Sequence, residues 1–158
     1  KSILLKEKQT MQGEQFNQAV NSYAICISNN GYTLKPRDLT TPTKGYVVGL
    51  STTQPELIKD TDFTIEMYVK SFNDVARSIL NDNQGTLIAE YVNDDQELIK
   101  VSTDLCVGGW LNEGYWYIEG VQVVADIKDA LYLGKANNQK AIYDLKEKKE
   151  IFIDQVIG

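Results

Sequence analysis

The run Tyr115-Trp-Tyr-Ile-Glu-Gly-Val-Gln-Val-Val124 constrains the fold more than any other segment. It is rich in aromatic and β-branched residues, and both alternating sets are largely apolar. A strand that is apolar on both sides belongs inside a sheet with its faces covered. The chain therefore needs strands to flank it and a further layer to cover it.

Flanking strands are readily found. Thr86-Leu-Ile-Ala-Glu-Tyr-Val92 reads as a strand, turned by Asn93-Asp94-Asp95-Gln96 into a partner over Leu98–Ser102. Gly45–Ser51 reads as another, with a bulge at Gly49, after a loop from Lys35 to Gly45 that holds Pro36 and Pro42. Ser22-Tyr-Ala-Ile-Cys-Ile-Ser28 has strand composition, and Asn29-Asn30-Gly31 predicts a tight reversal into Tyr32-Thr33-Leu34. Gly108, Gly109 and Gly114 bracket a predicted turn around Trp110.

The covering layer is helical. Residues 14–22 fit a short helical turn, and Pro55 heads another over Glu56–Lys59. In residues 62–80, Phe63, Ile65, Met67 and Val69 alternate, whereas Phe72, Val75, Ala76, Ile79 and Leu80 follow a helical stripe. That predicts a strand yielding to a helix near Ser71, with one continuous helix as the alternative. Asp126 is suited to cap a helix over Ile127–Ala136, with Asp129 in its first turn and Asn137-Asn138 closing it. Ala141–Leu145 and Glu150–Ile153 then flank a charged hairpin tip. The expected class is α+β: one domain over residues 14–158, a mixed or antiparallel sheet, two or three helices, and a C-terminal strand-helix-strand-strand. Residues 1–13 read as a mobile arm, with a short strand or a helix as the alternatives. With 42% hydrophobic and 24% charged residues, a chain of 158 has the makings of a packed core without disulfide or metal support.

Function is narrowed mainly by exclusion. The chain has no histidine. That removes Ser-His-Asp and Cys-His nucleophile activation and every histidine-containing metal site. Cys26 and Cys106 are the only cysteines, too far apart in sequence for a CxxC pair. Both sit in apolar runs and are expected as buried free thiols, with a disulfide as the alternative. No glycine pattern gives a phosphate or dinucleotide cradle, and an EF-type calcium loop around Gly85 fails at its twelfth position, Tyr91. No cofactor and no metal are expected. No run approaches a membrane helix, so the expectation is a cytoplasmic protein that does not engage membranes.

The net charge of −6 disfavours direct nucleic-acid binding. Charge is also concentrated. Residues 54–104 hold eleven acids against four bases, and the rest of the chain is nearly balanced. A protein with a basic surface is the expected partner, with self-association into a homo-oligomeric structural component as a further reading. Trp110 and Tyr115 are the candidate aromatic contacts, because rigid rings dominate interface hot spots. Asp82, Asp94, Asp95 and Glu97 are the candidate acidic ones. Trp116 and Tyr117 are expected in the core. If there is catalysis, carboxylates must carry it. Glu119, amid Tyr115, Trp116 and Tyr117, and Glu90, beside Tyr91, are then the pair to consider for a glycosidase-like hydrolase.

Residues Asp126–Leu145, with Gly31-Tyr-Thr-Leu34 and Gly45-Tyr-Val-Val-Gly49, resemble the corresponding parts of small proteins of bacterial phages and mobile genetic elements. The resemblance implies no catalytic residues. It implies a non-catalytic, protein-binding accessory factor, such as an inhibitor of a host nuclease or defence complex of the anti-CRISPR or anti-restriction type.

Overall fold

A computed structural model describes residues 14–50, 54–80 and 85–156. The expected arm over residues 1–13 lies outside these, as does Asp82. In chain order the elements are α1 (Glu14–Asn29), β1 (Gly31–Leu34), β2 (Tyr46–Gly49) and β3 (Glu56–Lys59). A 3₁₀ turn (Asp60–Asp62) leads into α2 (Ile65–Ile79), β4 (Thr86–Val92), β5 (Leu98–Asn112) and β6 (Tyr115–Val124). The remainder is α3 (Ile127–Ala136), β7 (Ala141–Asp144), β8 (Lys149–Phe152) and the four-residue α4 (Ile153–Val156).

One long hairpin organises the sheet. β5 and β6 pair from Asp104↔Val123 to Asn112↔Tyr115. Their two-residue loop places Glu113 (φ 50°) and Gly114 (φ 84°) both in the left-handed region, as a type I′ turn demands. β4 and β1 share the outer edge of β5, against Leu98–Asp104 and Val107–Trp110 respectively. β3 and β2 share the outer edge of β6 in the same way, and β7 and β8 extend the sheet beyond β2. Among the described residues every pairing is antiparallel, and eight strands make a sheet-dominated α+β fold.

The helices pack on one face. Leu105 and Val107 of β5, with Trp116 and Ile118 of β6, join Cys26 of α1 and Tyr68, Phe72, Val75, Ala76 and Ile79 of α2 in one core. Val48, Ala89, Tyr91, Val124 and Ile142 join Ala130, Leu131 and Leu133 of α3 in a second. Each of the larger aliphatic and aromatic side chains among them contributes about 1.5–3 kcal/mol on burial. Between the two cores, Thr103 Oγ1 lies 3.0 Å from both Leu87 O and Gln122 Oε1, and its one hydroxyl proton is shared between these two acceptors.

Several local expectations are corrected. Residues 22–28 are helical, the second half of α1. Its inner face makes hydrogen bonds: Tyr23 Oη donates to Phe63 O and Tyr68 Oη to Ser22 Oγ, both at 2.8 Å. Asn30 does take a positive φ, of 56°, but it ends this helix rather than turning a hairpin. Tyr32–Leu34 accordingly pairs with β5, not with residues 22–28. Residues 56–59 form a strand because their partners on β6 were not local. The helix over 65–79 is continuous from its cap at Thr64, whose side chain accepts from Met67 N at 3.3 Å. Ser71 lies inside it and bonds back to Met67 O and Tyr68 O. Gly108 and Gly109 are not a turn but the middle of β5. Gly109 is required there because the ring of Tyr32 lies across it, and a Cβ would also meet Ile118 Cδ1 at 2.9 Å. Cys26 and Cys106 are buried free thiols.

Candidate binding surface

Alternation along the central hairpin sends one set of side chains into the helix-covered core and the other to the opposite face. On β6 that second set is Tyr115, Tyr117, Glu119, Val121 and Val123. On β5 it includes Cys106, Gly108, Trp110 and Asn112. This face is closed in its middle, where Cys106, Val121, Val123 and Leu145 are buried together. Lys35 and Asp38 of the 35–45 loop lie close enough to Cys106 to act on its thiol.

Towards the β5–β6 turn the face opens. Register aligns Gly31, Trp110, Tyr117 and Leu57 in one row across β1, β5, β6 and β3. Trp110 and Tyr117 stack with centroids 5.8 Å apart and planes 4° from parallel. Trp110 is 39% exposed and Leu57 57%. The next row towards the turn is Asn112, Tyr115 and Lys59, and Tyr115 is also exposed. An apolar and aromatic patch of this kind is the usual signature of a contact surface.

The row on the other side, about 7 Å further along β6, is Thr33, Gly108 and Glu119. Glu119 is only 9% exposed. Burial pushes its carboxyl up to about 7. Among the described residues it has no hydrogen-bond or ion-pair partner. Its side chain projects from the same face of the sheet as Trp110 and Tyr117.

The structure thus brings Trp110, Tyr115 and Glu119 into one region and adds Tyr117 and Leu57 to it. Tyr117 is corrected from core to a half-buried place on the opposite face: of the two, only Trp116 is buried, stacked on Phe63 at 4.5 Å and donating from Nε1 to Asp60 Oδ1 at 2.9 Å. Trp110 is exposed, though on a strand. The signal for Tyr117 was its parity with Glu119, which puts it on the face opposite Trp116. Leu57 carried no signal until its pairing with Tyr117 was known.

The acidic candidates lie elsewhere. Asp94, Asp95 and Glu97 sit in the β4–β5 turn. From Leu98 to Trp110 is twelve residues of strand, roughly 40 Å along β5 at ~3.3 Å each. In that turn Asn93 Oδ1 accepts from the backbone of Asp95 (3.0 Å) and Glu97 (2.9 Å), and Tyr132 donates to Asp94 Oδ2 at 2.6 Å. Tyr91 stacks on Tyr132 and donates to Asp129 Oδ1 at 2.6 Å, which docks the hairpin onto α3. Glu90 is exposed, 3.9 Å from Lys100 Nζ. Glu90 stands opposite Lys100 and Glu119 opposite Gly108, eight residues apart on β5 and so about 26 Å along it. Glycosidic cleavage needs its two carboxyls within about 10 Å. These two do not share a site.

Among the described residues no group of three or more acids or cysteines could hold a metal, and no helix is long and apolar enough to cross a membrane. Comparison of the chain with protein-family models, curated proteins and solved structures finds no match.

Proposed function

We propose that this protein acts by binding another protein, without catalysis, through the open face of its sheet around Trp110 and Tyr117. The observation that carries the reading is the exposed Trp110 stacked on the half-buried Tyr117 of the central hairpin, flanked by the exposed Tyr115 and Leu57. Side chains held this way bury large area at little cost in conformational entropy, the property of interface hot spots. Asp94, Asp95 and Glu97 at the far end of the sheet add an acidic region suited to steering a basic partner. Together with the resemblance to phage and mobile-element proteins, this favours an inhibitor of a host nuclease or defence complex.

The test is capture. Immobilised protein, exposed to bacterial lysate, should retain a defined partner that the Trp110→Ala variant loses while its circular dichroism and melting temperature stay near wild type. Equal capture by both would remove this face from the interaction.

A further inference from the structure

We infer that Glu119 and the Trp110–Tyr117 pair form a receptor for one arginine side chain of the partner protein. The inference rests on the protein-binding reading above and specifies the chemistry that the partner must present.

Three features converge. Glu119 is nine-tenths buried and has no hydrogen-bond or ion-pair partner among the described residues. It occupies the row next to Trp110↔Tyr117, so a planar cation lying against the exposed indole can reach the carboxylate. On the β5 and β1 side the described neighbours bring no competing cation: Gly108 has no side chain and Thr33 is neutral, while Lys59 lies two rows away beside Tyr115. An unpaired carboxylate beside aromatic rings is complementary to a group that is flat, cationic and rich in N–H donors. Guanidinium meets all three demands. It stacks on indole and gives a carboxylate two parallel hydrogen bonds, whereas the ammonium of lysine offers only a point charge. Ligation would supply a partner that Glu119 lacks among the described residues.

The probe is acetyl-Gly-Arg-Gly-amide, matched against the same peptide carrying citrulline, an uncharged near-isostere. The readout is the indole Nε1–H resonance of Trp110 in two-dimensional NMR at neutral to mildly alkaline pH. Trp116, bonded to Asp60 and buried, is the internal control. The arginine peptide should shift Trp110 saturably at millimolar concentration and leave Trp116 still. Citrulline, or Glu119→Gln, should weaken this about tenfold. Glu119→Gln removes a buried charge and should therefore fold.

Equal binding of the arginine and citrulline peptides, undiminished binding by Glu119→Gln, or no shift of Trp110 overturns the arginine receptor. The lysate experiment separates this from the broader reading. Capture lost in Trp110→Ala would leave protein binding by this face standing without an arginine. Capture unaffected by Trp110→Ala would remove both.

Discussion

Replacing Glu119 by glutamine should make the protein more stable, and increasingly so as the pH rises. The carboxyl is raised from its usual 4.5 to about 7 by burial, and it is well shielded from solvent. Below about pH 4.5 the folded and unfolded chains both hold the proton, and this group does not distinguish them. As the pH climbs, the unfolded chain ionises first while the folded one resists. The stability associated with the protonated form is lost progressively and is gone above about 7. A displacement of about 2.5 units at 1.36 kcal/mol per unit gives a loss of roughly 3 kcal/mol. Glutamine has no proton to lose, so the variant escapes this loss. Its advantage over wild type should grow by up to about 3 kcal/mol between about pH 4 and about pH 8. In a chain of this size that is roughly 6–12 °C in melting temperature. Urea unfolding of both proteins at constant ionic strength measures it. Asp38 and Asp74, whose carboxyls are held below their usual values chiefly by the hydrogen bonds from Thr40 and Lys70, act in the opposite sense, but equally in both proteins. Their contribution cancels in the difference. A difference that stays flat with pH, or a variant less stable than wild type near pH 8, would refute the reasoning.

Gly109→Ala should destabilise the fold by about 1–3 kcal/mol in urea unfolding, because the new methyl meets the Tyr32 ring and Ile118 Cδ1 inside the sheet. Asp126→Ala should cost about 1 kcal/mol in the same assay, through loss of its hydrogen bonds from Lys128 N at 2.8 Å and Asp129 N at 3.3 Å. Cys26 and Cys106 are both buried, with burial pushing each thiol up to about 12. Thiol titration of the native protein near neutral pH should label neither rapidly and label both on unfolding, so prompt native labelling of either would contradict their placement.

What the sequence made legible was what local chemistry decides. Asp126 announced its helix because a cap acts within three residues. β6 announced itself because its composition fits no exposed or helical setting. α1 did not, and the reason is instructive. Tyr23, Ala24, Ile25, Cys26 and Ile27 have strand composition, yet Ile25 and Ile27 stay exposed while Cys26 is wholly buried, so long-range packing on α2 and β1 outweighed local preference. Residues 62–80 failed in a similar way. The alternation of Phe63, Ile65, Met67 and Val69 mimicked a strand, but Thr64 capped a helix through the middle of it.

The binding surface shows where sequence reasoning stops for a physical rather than a statistical reason. Trp110, Tyr115 and Glu119 could each be singled out by type. Whether they met depended on a register set by the Glu113-Gly114 turn and on which strands flanked β6. A slip of one residue would have sent Tyr117 and Glu119 into the core and Trp116 to the surface. Trp116 fixes the register from within, through its ring against Phe63 and its N–H on Asp60. The buried tryptophan thus holds Glu119 on the same face as Trp110 and Tyr117. A carboxylate kept there at the expense of folding stability is better explained by something it meets than by anything it supports.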